Sequence, residues 1–157
     1  DLNALLSQLV ADRLHLAAKH GLKLEYQPIS GLSEALADPA MLTQIVSNLL
    51  GNAINYTPRG GAITVAAVPR QRDGLNWLAL TVQDTGPGIS AKDLPQLFKR
   101  FFRGEVGRQA NAPGTGLGLA IVKTCVEACQ GRLELRNGER CGLVATLVLK
   151  SAANSPG

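Results

Sequence analysis

Residues 114–123 read Gly-Thr-Gly-Leu-Gly-Leu-Ala-Ile-Val-Lys, so that three alternating glycines open a segment with the apolar pattern of a helix. Glycine lets the backbone approach an anion closely, and the free N–H groups and dipole of a helix start attract negative charge. The stretch therefore predicts a phosphate-binding loop. Ordinary turns and tight helix packing also use repeated glycines. Neither the strand that precedes a dinucleotide fingerprint nor the Gly-Lys-Ser/Thr of a Walker loop is present.

A second turn, residues 84–89, reads Asp-Thr-Gly-Pro-Gly-Ile and follows a strand-like run at 75–83. Its Gly-Pro-Gly forces the chain to turn. An aspartate at the end of a buried strand can accept a hydrogen bond from the amino group of a base in an apolar pocket. Asp84 is therefore a candidate base-recognition residue, with a plain turn-capping aspartate as the alternative.

A helix with a polar stripe precedes both turns. Asp38 can cap this helix, Pro39 suits its first position, and Pro58 ends it. Beside the apolar residues at helical spacing runs a polar stripe of Gln44, Asn48, Asn52 and Asn55. Burying an unpaired amide costs roughly 1–3 kcal/mol, so a row of asparagines at the border of an apolar face indicates a ligand. Amide oxygens are suitable ligands for Mg²⁺, so the stripe is a candidate metal site. The alternative is that it is the solvated polar edge of an amphipathic helix.

In this order, the three elements resemble the ATP-binding catalytic domain of bacterial sensor histidine kinases, in the superfamily that includes gyrase, the Hsp90 chaperones and MutL. Residues 48–58 resemble the asparagine box of that family, residues 84–89 its first glycine box, residues 97–103 its phenylalanine box and residues 114–123 its second glycine box. The resemblance covers nearly the whole chain. It implies a Bergerat-type ATP-binding fold, an α/β (α+β) two-layer sandwich in which helices cover one face of a mixed β-sheet.

The resemblance also implies a site for ATP and Mg²⁺. Asn52 would ligate the metal ion, and Asn48 would support the metal or the phosphates. Tyr56 would lie against the base, and Asp84 would recognise the adenine amino group. The base pocket would be shaped by Gly86 and Gly88, with Ile89 as an apolar wall.

The phosphates would be met by a lid over residues 103–113 and by the second glycine box. Arg103 and Arg108 of the lid are the expected side-chain contacts. The expected backbone contacts are Gly114, Thr115, Gly116, Leu117, Gly118 and Leu119.

Two positions depart from the family pattern. Many members carry Lys or Arg immediately before the tyrosine of the asparagine box, where this chain has Asn55, so one charged phosphate contact is missing or supplied elsewhere. Many relatives also have a hydroxyl residue after the glycine of the last strand, where this chain has Leu143. Recognition of adenine by Asp84 is therefore expected to rely more on water.

The same box indicates phosphoryl transfer rather than hydrolysis. In hydrolytic relatives a glutamate one turn before the metal-binding asparagine activates water, but here that position is Asn48, whose amide is not a base. The two histidines, His15 and His20, do not lie in a sequence like the family's histidine box. We therefore expect a histidine kinase catalytic-domain fragment with no catalytic residue of its own, which would phosphorylate its own dimerisation and phosphoacceptor helical domain and serve a response regulator downstream. The alternatives are a degenerate domain that binds nucleotide or a partner without phosphotransfer, and an anti-sigma-type serine kinase.

Composition is consistent with one globular domain. The chain has 157 residues, 45% of them hydrophobic, and a formal charge of +4 without a basic stripe interleaved with aromatics, so we predict no nucleic-acid partner. No run is long enough for a membrane span, so we expect no direct membrane insertion. Three cysteines fit a cytoplasmic protein, although the parent protein could be anchored in the inner membrane.

The predicted organisation is a linker end at 1–11, a catalytic domain at 12–150 and a disordered tail at 151–157. We predict helices at 2–20 and 117–130 beside the one after Asp38, and a short helix near 91–98. Strands are predicted at 22–27, 62–68 and 75–83. A final hairpin is predicted from 132–136 and 143–149, turning around Asn137-Gly138.

Overall fold

The computed structural model describes residues 1–90 and 118–154. The first helix, α1, spans Leu2–Lys19, and the Asp1 side chain caps it by accepting a hydrogen bond from the Ala4 N–H at 3.0 Å. It ends at His20, and the next residue, Gly21, has a φ of 70°, a conformation that glycine adopts at low cost. The first strand, β1, follows at Lys23–Gln27.

Helix α2 spans Pro39–Tyr56 and confirms the predicted start and end. The Asp38 carboxylate accepts hydrogen bonds from the N–H groups of Ala40 and Met41 at 2.8 and 3.2 Å, which satisfies two of the donors that a helix start leaves free. The apolar stripe is buried as its spacing predicts: Leu42, Ile45, Val46, Leu49, Leu50, Ala53 and Ile54.

The remaining elements are β2 (Ala62–Arg72), β3 (Leu75–Asp84), α3 (Gly118–Ala128), β4 (Arg132–Asn137) and β5 (Leu143–Lys150). The strands form one sheet in the order β1-β2-β3-β5-β4. Strand β1 is parallel to β2, with Lys23 opposite Ala62, and every other neighbouring pair is antiparallel. The mixed sheet of the predicted fold class is confirmed.

One face of the sheet carries the core. Alternate residues of three central strands are buried against the helices, among them Ile63 and Val65 of β2, Leu78 and Leu80 of β3, and Leu147 of β5. The buried residues of α1, α2 and α3 belong to the same hydrophobic cluster. The described part of the chain is therefore a two-layer sandwich with helices on one face, as predicted.

Helices α2 and α3 pack side by side. The Asp38 backbone, immediately before α2, lies close enough to the Cys129 thiol, one residue past the end of α3, to oppose the rise in pKa that burial causes in that thiol. One helix therefore begins where the other ends. This antiparallel packing brings the N-terminus of α3 beside the C-terminal half of α2.

The hairpin of β2 and β3 is longer than predicted. The first of these strands was predicted to end at residue 68, but the two strands pair up to Arg72 and Leu75. Asp73 and Gly74 alone make the turn, with φ values of 53° and 75°. Pro69 is compatible with this long strand because β1 pairs only as far as Ala66, so that β2 has just one neighbour there.

The two ends of the chain are more integrated than expected. Residues 2–11, most of the predicted linker end, lie in α1, and Leu2, Leu6, Leu9 and Val10 are buried in the core. At the other end, Ser151 is buried and bridges to Ala35, and Ala152–Asn154 form a 3₁₀ turn, so this part of the predicted disordered tail is ordered. The predicted short helix at 91–98 lies outside the described residues. Among the helices that are described, none is long and apolar enough to cross a membrane.

Candidate functional site

All five strands have an end at one side of the sheet, which we call the loop end, and β1 begins there at Lys23, opposite Ala62. Here β2 begins at Ala62, β3 ends at Asp84, β4 ends at Asn137 and β5 begins at Leu143. Helix α2 also ends here, since a Cβ placed on Gly86 would lie 3.2 Å from the Tyr56 carbonyl oxygen. The loop end therefore brings the asparagine box and the first glycine box together.

Asp84 is the central acidic group of the loop end. It follows Leu80 and Val82 at alternate positions of β3, so it belongs to the face that the helices cover. Its Oδ1 accepts hydrogen bonds from the Gly86 N–H at 2.9 Å and from the Leu143 N–H at 3.1 Å. Within the described residues, Oδ2 has no hydrogen-bond partner and remains an available acceptor.

Burial raises the pKa of the Asp84 carboxyl above its ordinary value, and the hydrogen bonds from Gly86 and Leu143 act in the opposite direction. Partial desolvation strengthens any hydrogen bond that a ligand donates to this oxygen. The bond from Gly86 is the turn-capping contact that we considered as the alternative role. It occupies Oδ1 only, so capping and ligand recognition are compatible.

Glycines allow the close approach of backbone to Asp84. A Cβ on Gly142 would overlap the Asp84 carbonyl oxygen, and Gly142 has a φ of 79°. A Cβ on Gly86 would lie 3.1 Å from the Asp84 Oδ1. Gly88 has a φ of 75° and packs against the β4–β5 turn. A side chain at any of these three glycines would crowd neighbouring atoms and displace the backbone around Asp84, so the positions favour glycine.

Two contacts at the loop end were missed from the sequence. We expected a tight hairpin at Asn137-Gly138, but Asn137 pairs with Leu143 and residues 138–142 form the turn. The Asn137 side chain instead bonds the backbone of Ile89 at both its N–H and its carbonyl group. Leu143 lacks a hydroxyl, as noted, yet its backbone N–H binds Asp84 directly. The sequence signal for these contacts was weak: a polar residue, Asn137, at the last position of β4.

The asparagine stripe lies on the C-terminal half of α2. Asn48, Asn52 and Asn55 are each partly exposed. The Asn48 Nδ2 donates to the Gln44 carbonyl at 2.8 Å, and the Asn48 amide oxygen has no partner in the part of the chain that the structure describes. The side chain of Asn52 has no hydrogen-bond partner among the described residues.

These amide oxygens fit a hard cation such as Mg²⁺, which takes oxygen ligands from protein, water and phosphates together. In residues 1–90 and 118–154, no cluster of three or more His, Cys, Asp or Glu side chains could hold a metal ion instead. Tyr56, at the last turn of α2, is also partly exposed.

The predicted phosphate contacts are only partly within the described residues. Gly118 and Leu119 form the first turn of α3, so the second glycine box does lead into a helix. Arg103, Arg108, Gly114, Thr115, Gly116 and Leu117 lie outside the described residues. The N-terminus of α3 lies beside the C-terminal half of α2, where its dipole and free N–H groups favour an anion.

A recessed carboxylate with a free oxygen suits the amino group of a purine base. Amide oxygens beside a helix N-terminus suit phosphates and their metal ion. Together with the fold, these features define a nucleotide-binding domain.

The family follows from comparison with known proteins. Residues 37–153 match the sequence model of the histidine kinase-, DNA gyrase B- and HSP90-like ATPases, and the chain belongs to this family. The virulence sensor protein BvgS of Bordetella bronchiseptica is 41% identical over 153 residues, which cover 90% of this chain and 12% of BvgS. The sensor histidine kinase CusS of Escherichia coli O157:H7 is 37% identical over 125 residues, which cover 80% of this chain and 25% of CusS. The chain thus spans only a small part of these relatives.

The solved structures that resemble this chain include members of the same group of sensor kinases. The mycobacterial sensor histidine kinase MprB is 27% identical with a TM-score of 0.75, and the match covers 96% of this chain and 95% of that one. Full-length ShkA, solved in complex with AMPPNP, is 27% identical with a TM-score of 0.79 and is matched over 97% of this chain and 31% of ShkA. The chain is therefore an ATP-binding catalytic domain of the sensor histidine kinase type, which confirms the predicted family.

Proposed function

We propose that this domain binds Mg·ATP at the loop end of the sheet and donates the γ-phosphoryl group to a histidine on a separate helical domain. The observation that carries the proposal is the geometry of Asp84. Two backbone N–H groups fix one carboxylate oxygen, and the other is left for the adenine amino group. Asn52 and Asn48 would hold Mg²⁺ through their amide oxygens, and Tyr56 would lie against the base.

The phosphates would bind at the N-terminus of α3, with Gly118 and Leu119 supplying backbone N–H groups. We propose the remaining contacts from the sequence: Arg103, Arg108, Gly114, Thr115, Gly116 and Leu117. Asn55 stands where a basic residue is common, so the charge of the phosphates would be met chiefly by the arginines and the metal ion.

Transfer to histidine is favoured over hydrolysis because α2 supplies no base. Residues 39–56 contain no Asp, Glu or His, and Asn48 occupies the position from which a glutamate would activate water. The amide of Asn48 is in addition engaged with the Gln44 carbonyl. The domain should therefore hold ATP with little loss to water until an acceptor arrives.

In the proposed reaction, an imidazole nitrogen of the acceptor attacks the γ-phosphorus. A P–N bond forms, the bond from the γ-phosphorus to the β,γ-bridging oxygen breaks, and ADP leaves. Protein residues contribute by positioning the nucleotide and by binding its charge, which is how phosphoryl transfer is generally catalysed. Mg²⁺, when bound, would neutralise charge that develops on the phosphate oxygens.

The proposed partners are the dimerisation and phosphoacceptor helical domain of the parent protein and a response regulator that takes the phosphoryl group from it. The curated relatives are multidomain sensor proteins, which supports the first partner. We propose a cytoplasmic site of action, since ATP and response regulators are found there. Nothing in the comparisons favours the degenerate domain or the serine kinase.

Calorimetric titration with AMPPNP, with and without Mg²⁺, tests the binding proposal. The unaltered domain should bind more tightly with Mg²⁺, and Asn52→Ala should bind with an affinity that no longer depends on the metal. Gln8→Ala removes an exposed amide from α1, away from the loop end, and serves as the matched control. No binding by the unaltered domain, or full metal dependence in Asn52→Ala, would contradict the proposal.

A further inference from the structure

We propose that Asn137 is a positioning residue for nucleotide binding, because its side chain holds the loop of residues 84–89 in the conformation that presents Asp84 to the base. The inference rests on the proposed ATP site and adds a residue that the family boxes do not contain. Asn137 would not touch the nucleotide. It would act through the backbone of Ile89.

The contact is a two-point hydrogen bond. The Asn137 Nδ2 donates to the Ile89 carbonyl oxygen at 2.7 Å, and the Asn137 Oδ1 accepts from the Ile89 N–H at 2.8 Å. One amide side chain thus satisfies both polar backbone groups of a residue 48 positions away in the chain. The pattern imitates the pairing of two strands, although Ile89 lies in no strand.

The loop is also held at its other end. The Leu143 N–H binds the Asp84 Oδ1, and Leu143 pairs with Asn137 across the β4–β5 hairpin. The turn between them is closed by a hydrogen bond from the Gly138 N–H to the Gly142 carbonyl at 2.9 Å. Leu143 and Asn137, the paired residues on either side of this turn, therefore bind the first and last residues of the 84–89 loop, Asp84 and Ile89.

The position of Gly88 shows how closely the 84–89 loop packs against the β4–β5 hairpin. A Cβ on Gly88 would lie 2.6 Å from the Asn137 Oδ1 and 3.1 Å from the Gly142 carbonyl oxygen. The loop contains two glycines and so has high conformational freedom when it is not held. Without Asn137, a nucleotide would have to order the loop as it binds. The apparent affinity would then be reduced in proportion to the fraction of molecules whose loop already has the binding conformation.

Asn137 is exposed and belongs to the last position of β4, so its removal should affect binding more than folding. This separates a positioning role from a purely structural one. The variants are Asn137→Ala, which deletes both hydrogen bonds, and Asn137→Asp, which keeps the size but opposes a carboxylate oxygen to the Ile89 carbonyl. Glu139→Ala, an exposed change in the same turn, is the matched control.

The test is calorimetric titration of each variant with Mg·AMPPNP and with ADP, beside thermal unfolding without nucleotide. Asn137→Ala should weaken both nucleotides by the same factor, about tenfold, because the loop forms the base pocket that they share; tenfold corresponds to about 1.4 kcal/mol. Asn137→Asp should lose at least as much, and Glu139→Ala should lose nothing. The unfolding temperatures of the unliganded proteins should be unchanged.

Amide hydrogen exchange supplies a second and local measurement. The Ile89 amide should exchange faster in Asn137→Ala, while the Gly86 amide, which is bound to Asp84, should keep its protection. An unchanged affinity, or an affinity loss matched by a loss of unliganded stability, would overturn the inference. If the unaltered domain does not bind AMPPNP, the proposed function fails, and unchanged Ile89 exchange would independently refute the positioning contact.

Discussion

Asp84→Asn is the substitution whose effect the structure determines most closely. The two donors at Oδ1, Gly86 and Leu143, select the oxygen of the new amide for that position, so its NH₂ group replaces Oδ2. The adenine amino group would then face a donor instead of an acceptor. A hydrogen bond to a charged group contributes about 1.5–3 kcal/mol, and each 1.4 kcal/mol is a factor of ten, so the affinity for ATP should fall about 10- to 100-fold.

The assay is competitive titration of ATP against ITP, whose base carries an oxygen in place of the amino group. The unaltered domain should prefer ATP, and Asp84→Asn should reduce or reverse that preference because its NH₂ group can donate to the oxygen. Asp73→Asn makes the same change in the exposed β2–β3 turn and should leave both affinities unchanged. An Asp84→Asn variant that keeps its affinity and its preference for ATP would refute base recognition by this carboxylate.

Three further predictions concern stability. Burial raises the folded-state pKa of Asp84, so the folded state holds this proton more tightly than the unfolded state, and stability falls as pH rises from the unfolded value through the folded one. Urea unfolding at pH about 3 and about 7 should therefore show Asp84→Asn gaining stability relative to the unaltered domain at the higher pH; a relative loss would contradict this sign. In urea unfolding, Gly142→Ala should destabilise the fold by more than the ~1–2 kcal/mol that a left-handed backbone conformation costs an alanine, because the new Cβ would overlap Asp84. Gly31 has a similar φ of 78° but open space around it, so Gly31→Ala should cost only that amount. Asp38→Ala should lose a helix cap worth about 1 kcal/mol in urea unfolding and should leave nucleotide affinity unchanged, because it lies at the opposite end of α2.

Local signals predicted much of the fold. Asp38 and Pro39 mark the start of α2, and the spacing of its apolar residues predicts its buried face. The pattern of β3 correctly placed Asp84 at a strand end. These features depend on neighbours in sequence, so a single chain is enough to read them.

Pairings between distant segments could not be read in this way. Nothing local indicates that β5 lies between β3 and β4, or that Ser151 bridges to Ala35 and orders the start of the predicted tail. The predicted end of β2 at residue 68 was too early, because the open neighbouring position that allows Pro69 within the strand depends on the length of β1. Tertiary pairing overrode the local signal there.

The residues of the candidate site also fall into two groups, those that local sequence indicates and those that depend on distant contacts. Asp84 and the asparagines were found from their positions on single elements, and the structure brings their elements to one end of the sheet. Asn137 and the Leu143 N–H were missed because their roles arise from contacts 48 and 59 residues away in sequence. Asn137 was interpreted as a turn residue, which is the commoner meaning of Asn-Gly.

The central claim is the transfer of a phosphoryl group to histidine, and the direct measurement is a transfer assay with ATP radiolabelled at the γ-phosphate. The chain would be mixed with Mg²⁺ and the histidine-bearing helical domain of its parent protein. The account predicts label on that domain that is stable to alkali and lost in acid. The label should be absent when the acceptor histidine is replaced by alanine and strongly reduced with Asp84→Asn. Tight binding of ATP with no label on the helical domain, or with release of phosphate to water instead, would contradict it.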